Sequence, residues 1–149
     1  MAMNALVDEL MPYVGRICGA IAPDRGEDAA QEALIAVLRN LRQLRRPEAL
    51  RPWVRRIATR EAVRVARQTP PADLESGPEP AASGDPTLGV ELQDQLRRLE
   101  PEQRAVLVLR DLEGFSEQEV AELLAVAPGT VKSRLHRARR RFTRGWTNE

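Results

Sequence analysis

Seven basic side chains and no acidic one occupy the segment from residue 128 to residue 146. They are Lys132, Arg134, Arg137, Arg139, Arg140, Arg141 and Arg144. At ~100° per residue in an α-helix, the apolar residues fall on one stripe: Val131, Leu135, Ala138 and Phe142. The opposite face carries Ser133, His136, Arg137 and Arg140, with Lys132 and Arg134 at its flanks. Such a helix fits the major groove of duplex DNA, where its first half reaches base edges and later arginines, including Arg141, reach phosphates.

A short helix and a tight turn are predicted directly before this basic helix. Ser116 followed by Glu119 is the pattern of a capping box, which starts a helix. The turn follows at residues 125–127, and Pro128 starts the basic helix. We expect Thr130 to cap that helix and to place backbone N–H groups against a DNA phosphate. This arrangement is a helix-turn-helix, which favours DNA binding over the alternative of a solvated basic face without a partner.

A second set of basic residues surrounds the junction of two predicted helices near the N-terminus. They are Arg39, Arg42, Arg45, Arg46, Arg51, Arg55, Arg56, Arg60, Arg64 and Arg67. On composition alone, this set is either a nucleic-acid surface or the exposed sides of amphipathic helices. Trp53 is more typical of a core residue than of a base-stacking platform. On the preceding helix, Asp28, Gln31 and Glu32 form a polar stripe that either docks a protein partner or faces water.

The spacing of apolar residues predicts an all-α fold that positions these side chains. Helices are expected at residues 5–22, 27–44, 52–67, 92–99, 101–112, 116–124 and 128–146. Pro47 is expected to stop the second of them. Aromatic residues make up only 3% of the chain, which argues against a β-sandwich or barrel, because strands favour aromatic and β-branched residues.

A proline-rich stretch separates the N-terminal helices from the C-terminal ones. Residues 69–89 read TPPADLESGPEPAASGDPTLG and lack the apolar residues needed to offset their own ordering entropy. Residues 69–95 carry six acidic and no basic side chains, whereas residues 1–68 have a net charge of +4 and residues 96–149 of +3. We therefore expect two small helical domains, residues 1–68 and 91–149, joined by a flexible acidic linker at residues 69–90.

The remaining composition excludes several classes of function. One Cys and one His leave no disulfide framework and no Cys-rich zinc site, and we expect Cys18 to be a small core residue. No phosphate-binding loop, metal-ligand spacing or nucleophile motif occurs, so we expect no enzyme, no cofactor and no metal. No segment approaches the ~18 apolar residues of a membrane span, and no signal peptide precedes the first helix. The prediction is a cytoplasmic, nucleoid-associated protein.

Two segments resemble a known family. The run LRRLEPEQRAVLVLRDLEGFSEQEVAELLAVAPGTVKSRLHRARRRF, residues 96–142, resembles region 4 of bacterial RNA polymerase sigma factors of the extracytoplasmic-function (ECF) type. EDAAQEALIAVLRNL, residues 27–41, and WVRRIA, residues 53–58, resemble region 2 of the same family. The chain departs from the family at Val37-Leu38, where an aromatic pair is common, and at Arg60 and Arg64, which replace Asn and Asp.

The resemblance implies a promoter-recognition subunit of RNA polymerase. Region 4 would read the −35 element through Lys132, Ser133, His136 and Arg137, with Thr130 and Arg134 near the DNA backbone. Region 2 would bind the polymerase clamp through Asp28, Gln31 and Glu32. It would contact the −10 element through the segment that follows, where the candidates are Arg45, Arg46, Arg51, Trp53, Arg55 and Arg56. The linker would thread through a positively charged channel of the polymerase, unless it is an inert acidic tether.

The implied partners are RNA polymerase core, through its β′ clamp and β flap, promoter DNA and an anti-sigma factor, with no membrane partner. Two alternatives belong to other functional classes. One is a sigma-like interaction protein that occupies an anti-sigma factor or polymerase without supporting initiation, which the unusual region 2 motivates. The other is a stand-alone helix-turn-helix regulator, which needs a dimerisation surface and no long acidic connector.

Overall fold

The computed structural model describes residues 2–68 and 89–147, and these residues contain seven α-helices and no strand. The helices are α1 (Ala2–Ile21), α2 (Gly26–Arg39), α3 (Leu50–Arg67), α4 (Val90–Arg97), α5 (Pro101–Leu107), α6 (Glu117–Leu124) and α7 (Pro128–Thr147). The predicted all-α class is confirmed. The predicted linker lies almost entirely outside the described residues, and the predicted domain limits stay predictions.

Helices α1, α2 and α3 pack against one another as an N-terminal bundle. Its centre is made by apolar side chains with no solvent exposure, including Ile17, Val37 and Val54. Small residues such as Ala29 and Ala58 are also fully buried, which lets the helix axes approach closely. Cys18 lies in this core, as expected, with its Sγ 3.8 Å from the carbonyl oxygen of Ala58.

The prediction for the end of α2 was wrong. The helix ends at Arg39, five residues before the predicted end, and Pro47 does not stop it. The chain leaves the helical conformation at Asn40, where φ is −108° and ψ is 10°, and the side-chain Nδ2 of Asn40 caps the helix end by donating to the carbonyl oxygen of Ala36. Two short 3₁₀ turns, Leu41–Gln43 and Pro47–Ala49, then lead into α3.

Helices α4 to α7 form a C-terminal bundle in which α7 packs on α5 and α6. The predicted helix at residues 101–112 is regular only as far as Leu107, and Val108–Leu112 continue it as one π-helical turn. Gly114 follows with a φ of 80°, a left-handed conformation that glycine adopts without steric cost. The helix therefore ends at Leu112, as the sequence predicts.

The helix-turn-helix is present as predicted. Ser116 Oγ accepts the backbone N–H of Glu119, and Glu119 Oε1 accepts the backbone N–H of Ser116, which completes the capping box of α6. Ala125 ends α6 in the left-handed region at a φ of 56°. The backbone N–H of Val126 then bonds to the carbonyl oxygen of Ala121, and α7 begins three residues after Ala125.

The two bundles contact each other, and their buried residues form one continuous apolar cluster. The contact is made mainly by α3 against α5 and α6 and by α1 against α4 and α5. Arg104 of α5 is central to it, since its Nη1 donates to the carbonyl oxygen of Ile21 at 2.7 Å while its Nε and Nη2 donate to carbonyls of the C-terminal bundle. Arg97, whose side chain is 2% exposed, bonds to Asp24 at 2.8 Å.

Candidate nucleic-acid interface

The apolar stripe of α7 lies where the sequence places it. Val131, Leu135 and Ala138 are buried at 0%, 2% and 0% exposure, and Phe142 is partly buried against the same core. This packing fixes the rotation of α7 about its axis, because the three residues recur at three- and four-residue spacing. The opposite face is therefore held outward by the core itself.

That outward face carries the predicted DNA-reading side chains. Those that are exposed are Lys132, Ser133, His136, Arg137, Arg140 and Arg141. Ser133 Oγ donates to the carbonyl oxygen of Thr130 at 3.2 Å. The other five side chains of this set make no hydrogen bond or ion pair with the described residues. They are available to an external acceptor.

The role predicted for Thr130 at the helix start was wrong. Helix α7 begins at Pro128, so Thr130 is its third residue and Ala127 takes the position before the helix. The backbone N–H of Thr130 already donates to the carbonyl oxygen of Ala127 at 3.0 Å. Thr130 therefore neither caps α7 nor offers this N–H to a phosphate, although its side chain still lies at the start of the exposed face.

Arg139 has an acidic partner that the sequence reading missed. Its guanidinium bonds to both carboxylate oxygens of Asp111, at 2.6 and 3.0 Å. This hydrogen bonding raises the pKa of Arg139 above its ordinary value. The pair links α7 to the π-helical turn, and Asp111 lies 28 residues before Arg139 in the chain, so helical spacing within α7 gave no signal of it.

Arg134 lies apart from the outward face. It lines a cavity of about 120 Å³ between the bundles, which it shares with Arg60 and Arg67 of α3 and with Glu102 of α5. Burial tends to raise the pKa of Glu102, but the hydrogen bond from Arg67 and the charges of Arg67 and Arg134 lower it overall. Among the predicted contacts of α7, Arg134 is the one that faces the N-terminal bundle.

The predicted −10 contacts divide into two groups. Arg45, Arg46, Arg51 and Arg56 are exposed around the start of α3. Arg55 is instead partly buried, because its Nε donates to the Tyr13 hydroxyl at 2.6 Å and its guanidinium lies 4.5 Å from the centre of the Phe115 ring. Trp53 is partly buried against the core, in keeping with the preference for a core residue.

The polar stripe of α2 is exposed at all three positions, Asp28, Gln31 and Glu32. Asp28 forms an ion pair with Arg25 at 3.3 Å, and Glu32 lies 3.6 Å from Arg64. Pairs this exposed are weak, so both carboxylates can exchange these partners for others. The structure brings the three residues together on one side of α2.

The part of the chain that the structure describes shows few features of thiol chemistry, of metal binding or of a membrane-spanning helix. Burial raises the pKa of the Cys18 thiol to about 12, so the reactive thiolate is scarce at neutral pH. No group of three or more His, Cys, Asp or Glu side chains that could hold a metal ion occurs among the described residues. No described helix is long and apolar enough to cross a membrane.

The fold and the interface together define a helix-turn-helix protein. Its second helix packs on the core with one face and exposes basic side chains on the other. Models of known families match both parts of the chain: "Sigma-70 region 2" matches residues 6–69, and "Sigma-70, region 4" matches residues 89–142. These matches coincide with the N-terminal and C-terminal bundles.

Individual relatives agree with the family models. The chain is 36% identical to the ECF RNA polymerase sigma factor SigE of Mycolicibacterium smegmatis over 78% of its length and 49% of that protein. It is 37% identical to the ECF RNA polymerase sigma factor SigM of Mycobacterium tuberculosis, over 79% and 62% of the two chains. It is 32% identical to the RNA polymerase sigma factor CarQ of Myxococcus xanthus, over 91% and 86%. The chain thus spans about half the length of SigE, somewhat less than two thirds of SigM and most of CarQ.

A solved structure shares the fold. The sigma factor RpoE of Bartonella quintana, crystallised with the anti-sigma factor NepR, superposes with a TM-score of 0.64 at 24% identity, covering 96% of this chain and 95% of that one. The chain belongs to the sigma-70 family of RNA polymerase sigma factors, in its ECF class. Its N-terminal bundle is region 2 and its C-terminal bundle is region 4.

Proposed function

We propose that this protein binds RNA polymerase core and directs it to promoters, with region 4 reading the −35 element and region 2 contacting the clamp and the −10 element. The observation that carries the proposal is the outward face of α7. The buried stripe of α7 fixes which side chains point outward. Apart from the local bond of Ser133, these side chains make no hydrogen bond or ion pair with the described residues. In this role we propose that the protein acts in the cytoplasm, at the nucleoid, and leaves the chemistry of transcription to the polymerase.

For the −35 element, we assign base contacts to Lys132, Ser133, His136 and Arg137 in the first half of α7. Arg140 and Arg141 lie further along the same exposed face, where they suit phosphate contacts. Thr130 is assigned a backbone contact through its side chain alone. Arg134 can reach a phosphate only if it leaves the cavity that it lines with region 2.

For the −10 element, we assign backbone contacts to Arg45, Arg46, Arg51 and Arg56, which are exposed at the start of α3. Arg55 and Trp53 are weaker candidates in this structure, because both are partly buried. The relatives' names support RNA polymerase as the partner. The NepR complex supports an anti-sigma factor as a second partner, since that sigma factor has the same fold.

The clamp contact is assigned to Asp28, Gln31 and Glu32. Replacing all three by Ala should lower the affinity for purified core polymerase at least tenfold, measured with fluorescently labelled protein. The matched control is Asp8→Ala with Glu9→Ala, which removes two exposed carboxylates from α1 and should leave the affinity unchanged. Equal affinity of the triple variant and the control would overturn the clamp assignment.

A further inference from the structure

Three arginines meet at one cavity between region 2 and region 4. The cavity has a volume of about 120 Å³, and it is lined by Arg60 and Arg67 of α3 and by Arg134 of α7. Glu102 of α5 is the one acidic residue among the described residues that line it. Three positive charges and one negative charge give this lining a net charge of +2, whereas the whole chain carries only +1. Positive charge is thus concentrated at the cavity.

The guanidinium groups at the cavity have few acceptors among the described residues. Each guanidinium carries five N–H donors. Arg60 donates from Nε to the carbonyl oxygen of Leu123 at 3.3 Å, and Arg67 donates from Nε to Glu102. Arg134 is partly buried and makes no hydrogen bond or ion pair with the described residues. Because a cation that is partly removed from water needs an acceptor, an anion in the cavity would stabilise this side chain.

The charge of Arg134 acts across the cavity. Burial tends to raise the pKa of Glu102, but the hydrogen bond from Arg67 and the charges of Arg67 and Arg134 lower this pKa overall. Arg134 contributes to this lowering without a hydrogen bond to the carboxylate. The cavity therefore favours negative charge, and Glu102 neutralises only one of the three guanidinium charges.

Apolar side chains separate the charged ones. The rest of the described lining consists of Val63, Ala105, Leu124 and Val126. Apolar walls displace water, so an anion in the cavity is attracted to a guanidinium more strongly than an anion on the open surface. Arg60 and Arg67 are exposed, so a ligand can reach the cavity from solvent.

The size of the cavity limits the ligand. Its volume of about 120 Å³ is well below the ~300–1,000 Å³ of pockets for drug-sized ligands. It is nevertheless several times the ~30 Å³ that one water molecule occupies in the liquid. The cavity therefore suits a small anion of several atoms, or one end of a larger molecule.

The charge of the lining narrows the ligand further. A terminal phosphoryl group carries about −1.5 to −2 charges at pH 7, which matches the net charge of +2. Its oxygens also fit the planar fork of a guanidinium, which binds phosphate through two parallel hydrogen bonds. A phosphate within a nucleic-acid chain carries a single negative charge and would leave half of the net charge without a partner.

We propose that this cavity is a binding site for a terminal phosphoryl group, supplied by inorganic phosphate or by a phosphomonoester whose remainder stays outside. Arg60, Arg67 and Arg134 supply the hydrogen-bond donors, and Glu102 weakens the site by opposing the charge of the ligand. The site lies apart from the outward face of α7 and does not depend on promoter recognition. It adds a small phosphorylated ligand to the proposed partners of the chain.

An NMR titration of the isotopically labelled full chain with inorganic phosphate tests the site directly. The ionic strength is kept constant with sodium chloride. Saturable shifts should appear at the Nε–H group of Arg134 and at the backbone amides of Val63 and Ala105. Equal shifts in a titration with chloride alone, or shifts confined to the outward face of α7, would overturn the site.

Two substitutions should change the affinity for phosphate in opposite directions. Arg134→Gln should weaken binding about tenfold, the effect of losing one hydrogen bond to a charged group. Glu102→Gln removes the opposing carboxylate and should tighten binding about threefold. Damage to the fold would weaken binding in both variants, so a tighter Glu102→Gln variant separates the charge of the site from a structural effect.

Arg39→Gln is the matched control. It removes one exposed positive charge at the end of α2, and Arg39 is not among the described residues that line the cavity. This variant should bind phosphate like the parent. The proposal would be wrong if Arg134→Gln and Arg39→Gln had equal affinities, or if Glu102→Gln bound phosphate more weakly than the parent.

A nucleoside monophosphate and the corresponding nucleoside distinguish the two sources of the phosphoryl group. Tighter binding of the monophosphate than of inorganic phosphate, with shifts at the same residues, would assign the site to the phosphoryl end of a larger molecule. Equal or weaker binding of the monophosphate would assign it to inorganic phosphate. Binding of the unphosphorylated nucleoside at the cavity would contradict a site that selects its ligand by charge.

Discussion

Arg104 is a buried cation that hydrogen-bonds to backbone carbonyl groups of both bundles. It is 5% exposed, and its guanidinium donates to the carbonyl oxygens of Ile21, Leu96, Arg97 and Leu99. Burial lowers its pKa to about 10, so the side chain stays charged at neutral pH in spite of the cost of desolvation. The four acceptors belong to both regions, which makes this one residue a structural link between them.

Arg104→Met keeps a long apolar stem but leaves these carbonyls without their donor. A buried acceptor that loses its partner costs ~1–3 kcal/mol, and we expect the free energy of unfolding to fall by about 3 kcal/mol in urea titrations. The control is Arg98→Met, a half-exposed neighbour, which should change it by less than about 0.5 kcal/mol. Equal effects of the two substitutions would show that the guanidinium contacts contribute nothing.

Arg137 and Arg141 should behave differently in DNA binding although both are exposed arginines of α7. Arg137→Ala should weaken binding to the cognate −35 duplex by ~1–3 kcal/mol and leave non-cognate duplexes nearly unaffected, because a base contact is lost. Arg141→Ala should weaken all duplexes alike and reduce the dependence of affinity on salt, because a phosphate contact is lost. Fluorescence anisotropy over a salt series measures both. Indistinguishable variants would mean that the base-reading face is assigned wrongly.

For individual residues, the spacing of apolar side chains was sufficient to predict which side chains of a single helix are buried and which are exposed. The spacing of Val131, Leu135 and Ala138 predicted both the buried stripe of α7 and the side chains opposite it, and the structure confirms both. Periodicity carries no information about partners from distant parts of the chain. The bond from Arg139 to Asp111 and the inward position of Arg134 could therefore not be predicted.

Among the elements, α6 depends on its capping box. The backbone N–H and the hydroxyl of Ser116 hydrogen-bond to Glu119 and lower the pKa of its carboxyl group. A carboxyl group whose pKa is lowered by folding stabilises the fold above its ordinary pKa of 4.5, and this contribution is lost as the pH falls through the lowered value. The helix-turn-helix should therefore weaken only as the pH falls below 4.5.

Ser116→Ala removes half of the box. We expect the free energy of unfolding at pH 7 to fall by about 1 kcal/mol, and the pKa of Glu119, followed by NMR, to rise toward its ordinary value. Ser133→Ala is the control, since that hydroxyl bonds only within α7 and caps no helix. An unchanged pKa of Glu119 in the Ser116 variant would contradict the role given to the box.

Local signals predicted helix starts better than helix ends. The capping box and Pro128 marked the starts of α6 and α7 correctly. The end of α2 at Arg39 was missed because apolar residues continue beyond that point, and the side-chain cap that Asn40 places on the carbonyl of Ala36 leaves no mark in that spacing. The π-helical turn at Val108–Leu112 was missed because an inserted residue in a helix changes its register without changing its composition.

At the scale of the whole molecule, the sequence predicted two helical units and their order along the chain, but not the contact between them. The contact depends on which face of α3 meets α5 and α6, and Arg60 and Arg67 read equally well as a solvated or a DNA-binding face. In the structure they meet Leu123 and Glu102. A surface that the sequence offered to DNA is thus occupied by the chain itself.

Run-off transcription with purified, sigma-free core polymerase on a library of promoter fragments tests the central claim most directly. If the protein is a sigma factor, we expect specific transcripts that require this protein and whose promoters share upstream elements at a fixed spacing. The Arg137→Ala variant should lose those transcripts selectively, while the Asp8→Ala with Glu9→Ala variant, which changes exposed positions of α1, should keep them. Stable binding to core without any specific transcript, or no binding to core at all, would contradict the account.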